Sequence, residues 1–166
     1  MNLVCKKLPG TDGTLEVIAP FWEMAHIRKA VDDRFLDAYG IYRIFAGIKN
    51  GVIRLYGVFD TDKPISLLGF ELGALDESGE AFENHAFWSR KAPAAACVEL
   101  CKQVMVEDYR QEGVIIKSAV GYIPDLNRAA QRMALKVQCE DKGIRMDKTW
   151  LKNGVYYPCR EFRVYL

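Results

Sequence analysis

The sequence predicts an α+β fold, a mixed and mainly antiparallel sheet flanked by helices and closed by a C-terminal β-hairpin. Three observations carry this prediction. Apolar residues recur at helical spacing in three stretches, beginning near residues 22, 94 and 125. Asn-Gly pairs at 50–51 and 153–154 lie between segments rich in β-branched and aromatic residues, the pattern of tight hairpins. The segment after the middle helix reads as a strand, and a strand–helix–strand crossover places one parallel pair beside the antiparallel ones.

The elements follow in order. Met24, Ile27, Val31 and Phe35, with Tyr39 next on that face, predict a helix over residues 22–39, ended near Gly40. Lys49-Asn50-Gly51-Val52 then reads as a type I′ turn joining a strand Ile41–Ile48 to a strand Val52–Phe59. Asp60-Thr61-Asp62-Lys63-Pro64 is a turn cluster, Ile65–Leu75 a strand, Asp76-Glu77-Ser78-Gly79 a second turn and Ala81–Trp88 a further strand, which together make an antiparallel meander. Pro93 suits a first helical position, because its fixed φ favours helix entry. Ala94, Cys97, Cys101, Val104 and Asp108 lie along one side of that helix, flanked by Val98, Met105 and Tyr109, and Gly113 ends it. Val114–Val120 is a short β-branched run. A helix over Asp125–Asp141 turns Leu126, Ala129, Ala130, Met133, Ala134 and Val137 inward. Asn153-Gly154 closes a last hairpin with arms Met146–Lys152 and Val155–Leu166.

Composition bounds the function. The chain has 166 residues, 50% hydrophobic and 27% charged, an ordinary globular balance that excludes wholesale disorder and a cysteine-stapled scaffold. The 23 basic and 22 acidic residues leave a net charge of +1, which gives no electrostatic mandate for nucleic acid. Locally, Asp60, Asp62, Glu71, Asp76, Glu77, Glu80 and Glu83 face Lys63 alone in one stretch, whereas residues 142–166 are basic; such polarity orients a partner or marks two solvated faces. The five cysteines lack secreted-scaffold spacing, and no apolar run approaches the ~20 residues a bilayer requires. The N-terminus carries no signal-peptide pattern, so the expectation is a cytoplasmic protein with free thiols and no membrane partner. Cys97 and Cys101 are one helical turn apart, but with His26 and His85 the only histidines they read as core residues rather than a metal site.

The stretch Pro124-Asp125-Leu126-Asn127-Arg128-Ala129-Ala130, followed by Met133, Lys136-Val137 and Gly143, resembles the Gcn5-related N-acetyltransferases. The spacing after Asn127 matches ribosomal-protein-type members, and Leu151-Lys152-Asn153-Gly154-Val155-Tyr156-Tyr157 looks like their last hairpin. The resemblance covers residues 52–166, within one domain spanning 1–166, and implies acetyl-CoA as cofactor and an amine as acceptor. It implies that Phe87, Trp88, Arg90, Lys91 and the amides of Ala94 and Ala95 hold the cofactor, and that Asn127 helps place its thiol end.

The chain departs from that family at three places. Arg90-Lys91-Ala92-Pro93-Ala94-Ala95 stands where a glycine-bearing pyrophosphate loop is expected, and Pro93 has no N–H to donate. A general-acid Tyr of the family falls at Ala134, and a Gly-Phe pair at Gln138-Cys139. Candidate bases are Glu83 and His85, which share one face of a strand; an imidazole with a pKa near 6.5 takes a proton from an ammonium substrate at neutral pH. Arg128, Arg132 and Lys136 would meet the 3′-phosphate of CoA or form a solvated face.

The whole chain, mainly through Asn84-His85-Ala86-Phe87-Trp88 and the loop after it, is also similar to head-assembly proteins of this fold in temperate short-tailed phages. That likeness implies action in the host cytoplasm through contacts with virion or assembly proteins, with an eroded acetyl-CoA site. The alternative is an active N-acetyltransferase on a protein or small-molecule amine.

Overall fold

The computed structural model describes residues 1–36, 39–62 and 65–166. In chain order the elements are β1 (Leu3–Lys7), α1 (Asp12–Trp22), α2 (Ala25–Ala30), a 3₁₀ turn (Asp33–Phe35), α3 (Gly40–Lys49), β2 (Arg54–Asp60), β3 (Ser66–Leu75), β4 (Ala81–Trp88), α4 (Ala94–Gln111), β5 (Ser118–Pro124), α5 (Arg128–Lys136), β6 (Glu140–Lys152) and β7 (Val155–Tyr165). The described strands form one seven-stranded sheet in the order β1-β2-β3-β4-β5-β7-β6. The β4–β5 junction is its one parallel pairing among the described residues. The predicted α+β class is the one observed.

Both faces of the sheet centre are covered, which is why β2 and β3 read as nearly continuous apolar runs. On one face Ile18, Phe21, Trp22, Ile27, Ile44 and Ile48 from α1–α3 pack on Leu55, Phe70 and Leu72. On the other, Cys97, Cys101, Met105 and Tyr109 of α4 pack on Tyr56, Val58, Phe82 and Ala119. Cys97 and Cys101 are fully buried, so their place on the apolar stripe is a packing role.

The N-terminal third corrects the sequence reading. The single helix over 22–39 is instead α1, α2 and the 3₁₀ turn, and its positions 37–38 lie outside the described residues. Met24 is extended before α2 and Val31 after it. The Asp32 carboxylate then accepts from the Arg34 N–H at 2.9 Å, a local bond that competes with helix continuation. The predicted strand Ile41–Ile48 is helix α3, whose buried Ile44, Phe45 and Ile48 follow the helical period. Asn50-Gly51 is therefore no hairpin: Gly51 at φ +74° caps α3 in a Schellman motif, with Val52 N–H donating to Gly47 O (3.0 Å) and Gly51 N–H to Ile48 O (3.1 Å).

Downstream the register is closer. Residues 81–88 are a strand as predicted, and Asn153 and Gly154 take φ +51° and +75° in the hairpin turn. Lys63 and Pro64 of the first turn cluster lie outside the described residues. Strand 114–120 shifts to Ser118–Pro124, with Ile115 exposed in the approach to it. The helix over 125–141 shortens to Arg128–Lys136, ended by Gln138 at φ +63°; Leu126 precedes it and is exposed. Pro93 stands one position outside α4, as its N-cap. The first arm of the last hairpin reaches back to Glu140, and between the pairs Arg145↔Cys159 and Thr149↔Pro158 it bulges through Met146, Asp147 and Lys148.

A strap ties the N-terminal segment to that hairpin. Asp32, buried, accepts from Arg34 Nη2 (2.6 Å) and from the Leu151 N–H (3.0 Å). Asp33 accepts from Lys152 Nζ (2.7 Å) and the Asn153 N–H (2.6 Å). Burial pushes the Asp32 carboxyl up, but these bonds and the Arg34 charge outweigh it and hold the group below the usual carboxylate range.

Candidate active site

β4 and β5 pair only through Ala81↔Ser118, Phe82↔Ala119 and Glu83↔Val120. Beyond Glu83 the strands separate, and the second half of β4 shows its free edge to a cleft of about 480 Å³. Gly121–Pro124 form the opposite wall, α2 (His26, Ile27, Ala30) lies on one side of the sheet and α4 (Val98, Lys102, Met105) on the other. A smaller hollow of about 300 Å³ lies between the first turn of α4 and the end of α5; Glu99 and Val137 border both spaces.

Side chains alternate along β4. His85 and Phe87 stand on the α1–α3 face, and Asn84, Ala86 and Trp88 on the α4 face. Phe87 is fixed by the rings of Phe70 and Trp22, at centroid distances of 5.3 and 5.5 Å. His85 lines the cleft with its ring 6.1 Å from that of Trp150. Burial drives its pKa below the usual histidine value; the Glu83 charge opposes this and Lys148 adds to it, so at neutral pH the imidazole is uncharged and able to accept a proton. Glu83, in the last pair of the β4–β5 ladder, is not among the residues that line the cleft; Lys148 Nζ reaches it from the β6 bulge at 3.0 Å. The same ammonium lies 4.5 Å from the centre of the Tyr122 ring.

The sequence-predicted cofactor residues fall into two groups. Phe87, Trp88 and Asn127 line the cleft. Asn127 also caps α5, its Oδ1 accepting from the Ala130 N–H at 3.1 Å. Arg90, Lys91 and Ala94 do not line it: Arg90 and Lys91 are exposed in the turn before α4, and the Ala94 N–H already donates to Ala92 O at 2.9 Å. Ala95 borders the smaller hollow at the α4 N-terminus. Ala134 is buried and lines the cleft.

Three further residues, His26, Trp150 and Glu71, border the site. His26 Nε2 donates to the Trp88 carbonyl at 3.0 Å, joining α2 to the end of β4. Trp150 and Trp88 each bury an indole N–H that has no hydrogen-bond partner among the described residues, as does Glu71 Oε1. Glu71 carries a signal visible beforehand, a lone carboxylate inside the apolar run Leu67–Leu75, though only the register shows that it faces a cleft. Among the described residues no group of three or more His, Cys, Asp or Glu side chains is placed to hold a metal ion, and no helix is long and apolar enough to cross a membrane.

No protein-family model and no curated protein matches the chain. Solved structures do. The Salmonella typhimurium acetyltransferase that modifies the N-terminal serine of ribosomal protein L7/L12 superposes with a TM-score of 0.73 at 12% identity, over 99% of each chain. Spermidine N-acetyltransferase from Vibrio cholerae, solved with CoA and spermine, gives 0.74 at 14% identity over 98% of this chain and 95% of its own. The microcin C7 self-immunity acetyltransferase, solved with acetyl-CoA and AMP, gives 0.70 at 14% over 98% and 92%. The strand order, the separation of β4 from β5 and these superpositions agree: the chain has the fold of the Gcn5-related N-acetyltransferases.

Proposed function

We propose that the protein, acting as one unit over residues 1–166, binds acyl-CoA between β4 and β5 and transfers the acyl group to an amine. The observation that carries this is the cleft itself: a free β4 edge beside an uncharged imidazole. CoA-bound neighbours of the same fold support the cofactor, and neighbours acting on a polyamine or a protein N-terminus support an amine acceptor. Bound acetyl-CoA supplies an acyl group activated as a thioester. His85 takes the proton of the incoming ammonium, directly or through one water, and the Glu83–Lys148 pair beside it sets the local charge. The unpaired β4 backbone near Phe87 orients and polarises the acyl carbonyl. Transfer would exchange the thioester C–S bond for a C–N bond, with His85 holding one proton of the ammonium and the second nitrogen proton going to the departing sulfur.

A second reading has a specific observation in its favour. Pro93 offers no N–H at the start of α4 and the Ala94 N–H is engaged by Ala92, so the phosphate end of a cofactor finds fewer donors than the fold ordinarily provides. That suits a phage head-assembly factor working in the host cytoplasm through contacts with virion proteins, with the cofactor site eroded.

Titration calorimetry with acetyl-CoA separates the two. Micromolar affinity, followed by acetylation of amines in a panel of polyamines and peptide N-termini, is the expected result. No heat at millimolar cofactor would exclude transfer and leave the assembly role, tested by pull-down of virion proteins.

A further inference from the structure

Glu71 lies on β3 between Phe70 and Leu72, whose side chains enter the α1–α3 core. Its own side chain therefore points to the α4 face, opposite Ala86 of β4, where it lines the cleft. It is 5% exposed. Oε2 accepts from Asn84 Nδ2 at 3.1 Å, whereas Oε1 has no partner among the described residues. An unpartnered buried carboxyl is costly in an otherwise apolar interior, and it persists where something outside the chain completes it.

The state of that carboxyl follows from its surroundings. Burial pushes its pKa up to about 8; the Asn84 bond opposes this, Glu99 adds to it and Lys102 opposes it. Glu99 and Lys102, which face it from α4, are paired with each other at 2.6 Å. The remaining titratable neighbours stay protonated: Tyr56, across from Glu71 on β2, through burial, Cys101 through its contact with Cys5 and burial, and Cys97 and Cys139 through burial. At neutral pH Glu71 is an acid, and because Oε2 receives the Asn84 N–H the proton resides on Oε1. Two buried donors without acceptors, Glu71 Oε1–H and Trp88 Nε1–H, thus stand on the α4 face of the sheet in residues that line the cleft. Their natural complement is a ligand rich in carbonyl oxygens.

We propose that Glu71 is a cofactor-positioning residue, its Oε1–H and the Trp88 indole N–H donating to carbonyl oxygens of the pantetheine arm of acyl-CoA. This assignment rests on the acyl-CoA reading above. It makes binding depend on a proton held by the protein, because the ionised carboxylate would turn a repelling oxygen toward the same carbonyls.

The test is calorimetric titration of acetyl-CoA from pH 6.5 to 9 into wild type, Glu71→Gln, Glu71→Ala and Trp88→Phe. Ionisations of the cofactor are common to all four and cancel. Wild type is expected to bind about tenfold more weakly at pH 9 than at pH 7, the weakening that one proton with a pKa near 8 produces. Glu71→Gln, which keeps a donor and loses the titration, should hold its affinity across the range. Glu71→Ala should bind about tenfold more weakly at pH 7, and Trp88→Phe several-fold more weakly with the wild-type pH profile. Superimposed pH profiles for wild type and Glu71→Gln would overturn the role of Glu71 while leaving the acyl-CoA reading intact. Absence of heat from every protein at every pH would overturn both.

Discussion

At the residue scale, two titratable groups in one cleft are pushed in opposite directions by the same cause. Burial lowers the pKa of His85 and raises that of Glu71, and both are uncharged at neutral pH. For His85 the consequence is kinetic. The acidic limb of kcat/KM with an amine acceptor should fall below the usual histidine pKa, and His85→Gln should lower kcat on the order of 100-fold with little change in KM. An unchanged kcat would assign the proton transfer elsewhere. For Glu71 the consequence is also thermodynamic. Between the ordinary carboxylate pKa and about 8 the unfolded chain has lost a proton that the folded chain retains, so stability falls as pH rises through that window. Glu71→Gln should therefore stabilise the protein by about 1–3 kcal/mol at pH 8, with a smaller gain at pH 5. Urea unfolding at the two pH values measures this, and a gain independent of pH would count against a buried neutral acid.

At the scale of elements, one dipeptide has two outcomes. Asn153-Gly154 turns a hairpin, whereas Asn50-Gly51 ends helix α3, and each glycine lies at φ near +75°. The dipeptide specifies the left-handed backbone in both places; the flanking residues decide what it joins. Ile44, Phe45 and Ile48 carry the helical period, but their β-branched and aromatic character made the stretch read as a strand. Alanine at either glycine should cost about 1–2 kcal/mol, since a Cβ is strained in that region although neither site is sterically crowded. Amide exchange should then rise in α3 for Gly51→Ala and at the β6–β7 turn for Gly154→Ala. Exchange rising across both elements in either variant would deny them separate caps. The candidate site was legible to a similar degree. Glu83 and His85 share one face of a strand as the alternation predicts, because a strand face is a local property, whereas Asn127, read inside a helix over 125–141, is the cap that precedes α5. Glu71 was hidden, because its meeting with Asn84 depends on the β3–β4 register and on α4 closing over both.

At the scale of the whole molecule, the sheet consists of two parts, β1–β4 and β5–β7, joined by three residue pairs. The strap from Asp32 and Asp33 to Leu151, Lys152 and Asn153 crosses between the same two parts. Asp32→Ala removes the carboxylate that holds both Arg34 and the Leu151 amide, and should cost about 2–4 kcal/mol in urea unfolding. Because the Asp32 carboxyl is held below its ordinary range, the strap's contribution is complete at neutral pH. It is lost only as pH falls through the depressed pKa, so wild type and Asp32→Ala should converge in strongly acidic solution. Constant separation down to that pH would show that the variant acts through something other than the charge. The separation of β4 from β5 then has a mechanical meaning. The three-pair ladder and the aspartate strap together fix how far the two parts of the sheet stand apart, and of the residues that form them only Ala119 lines the cleft.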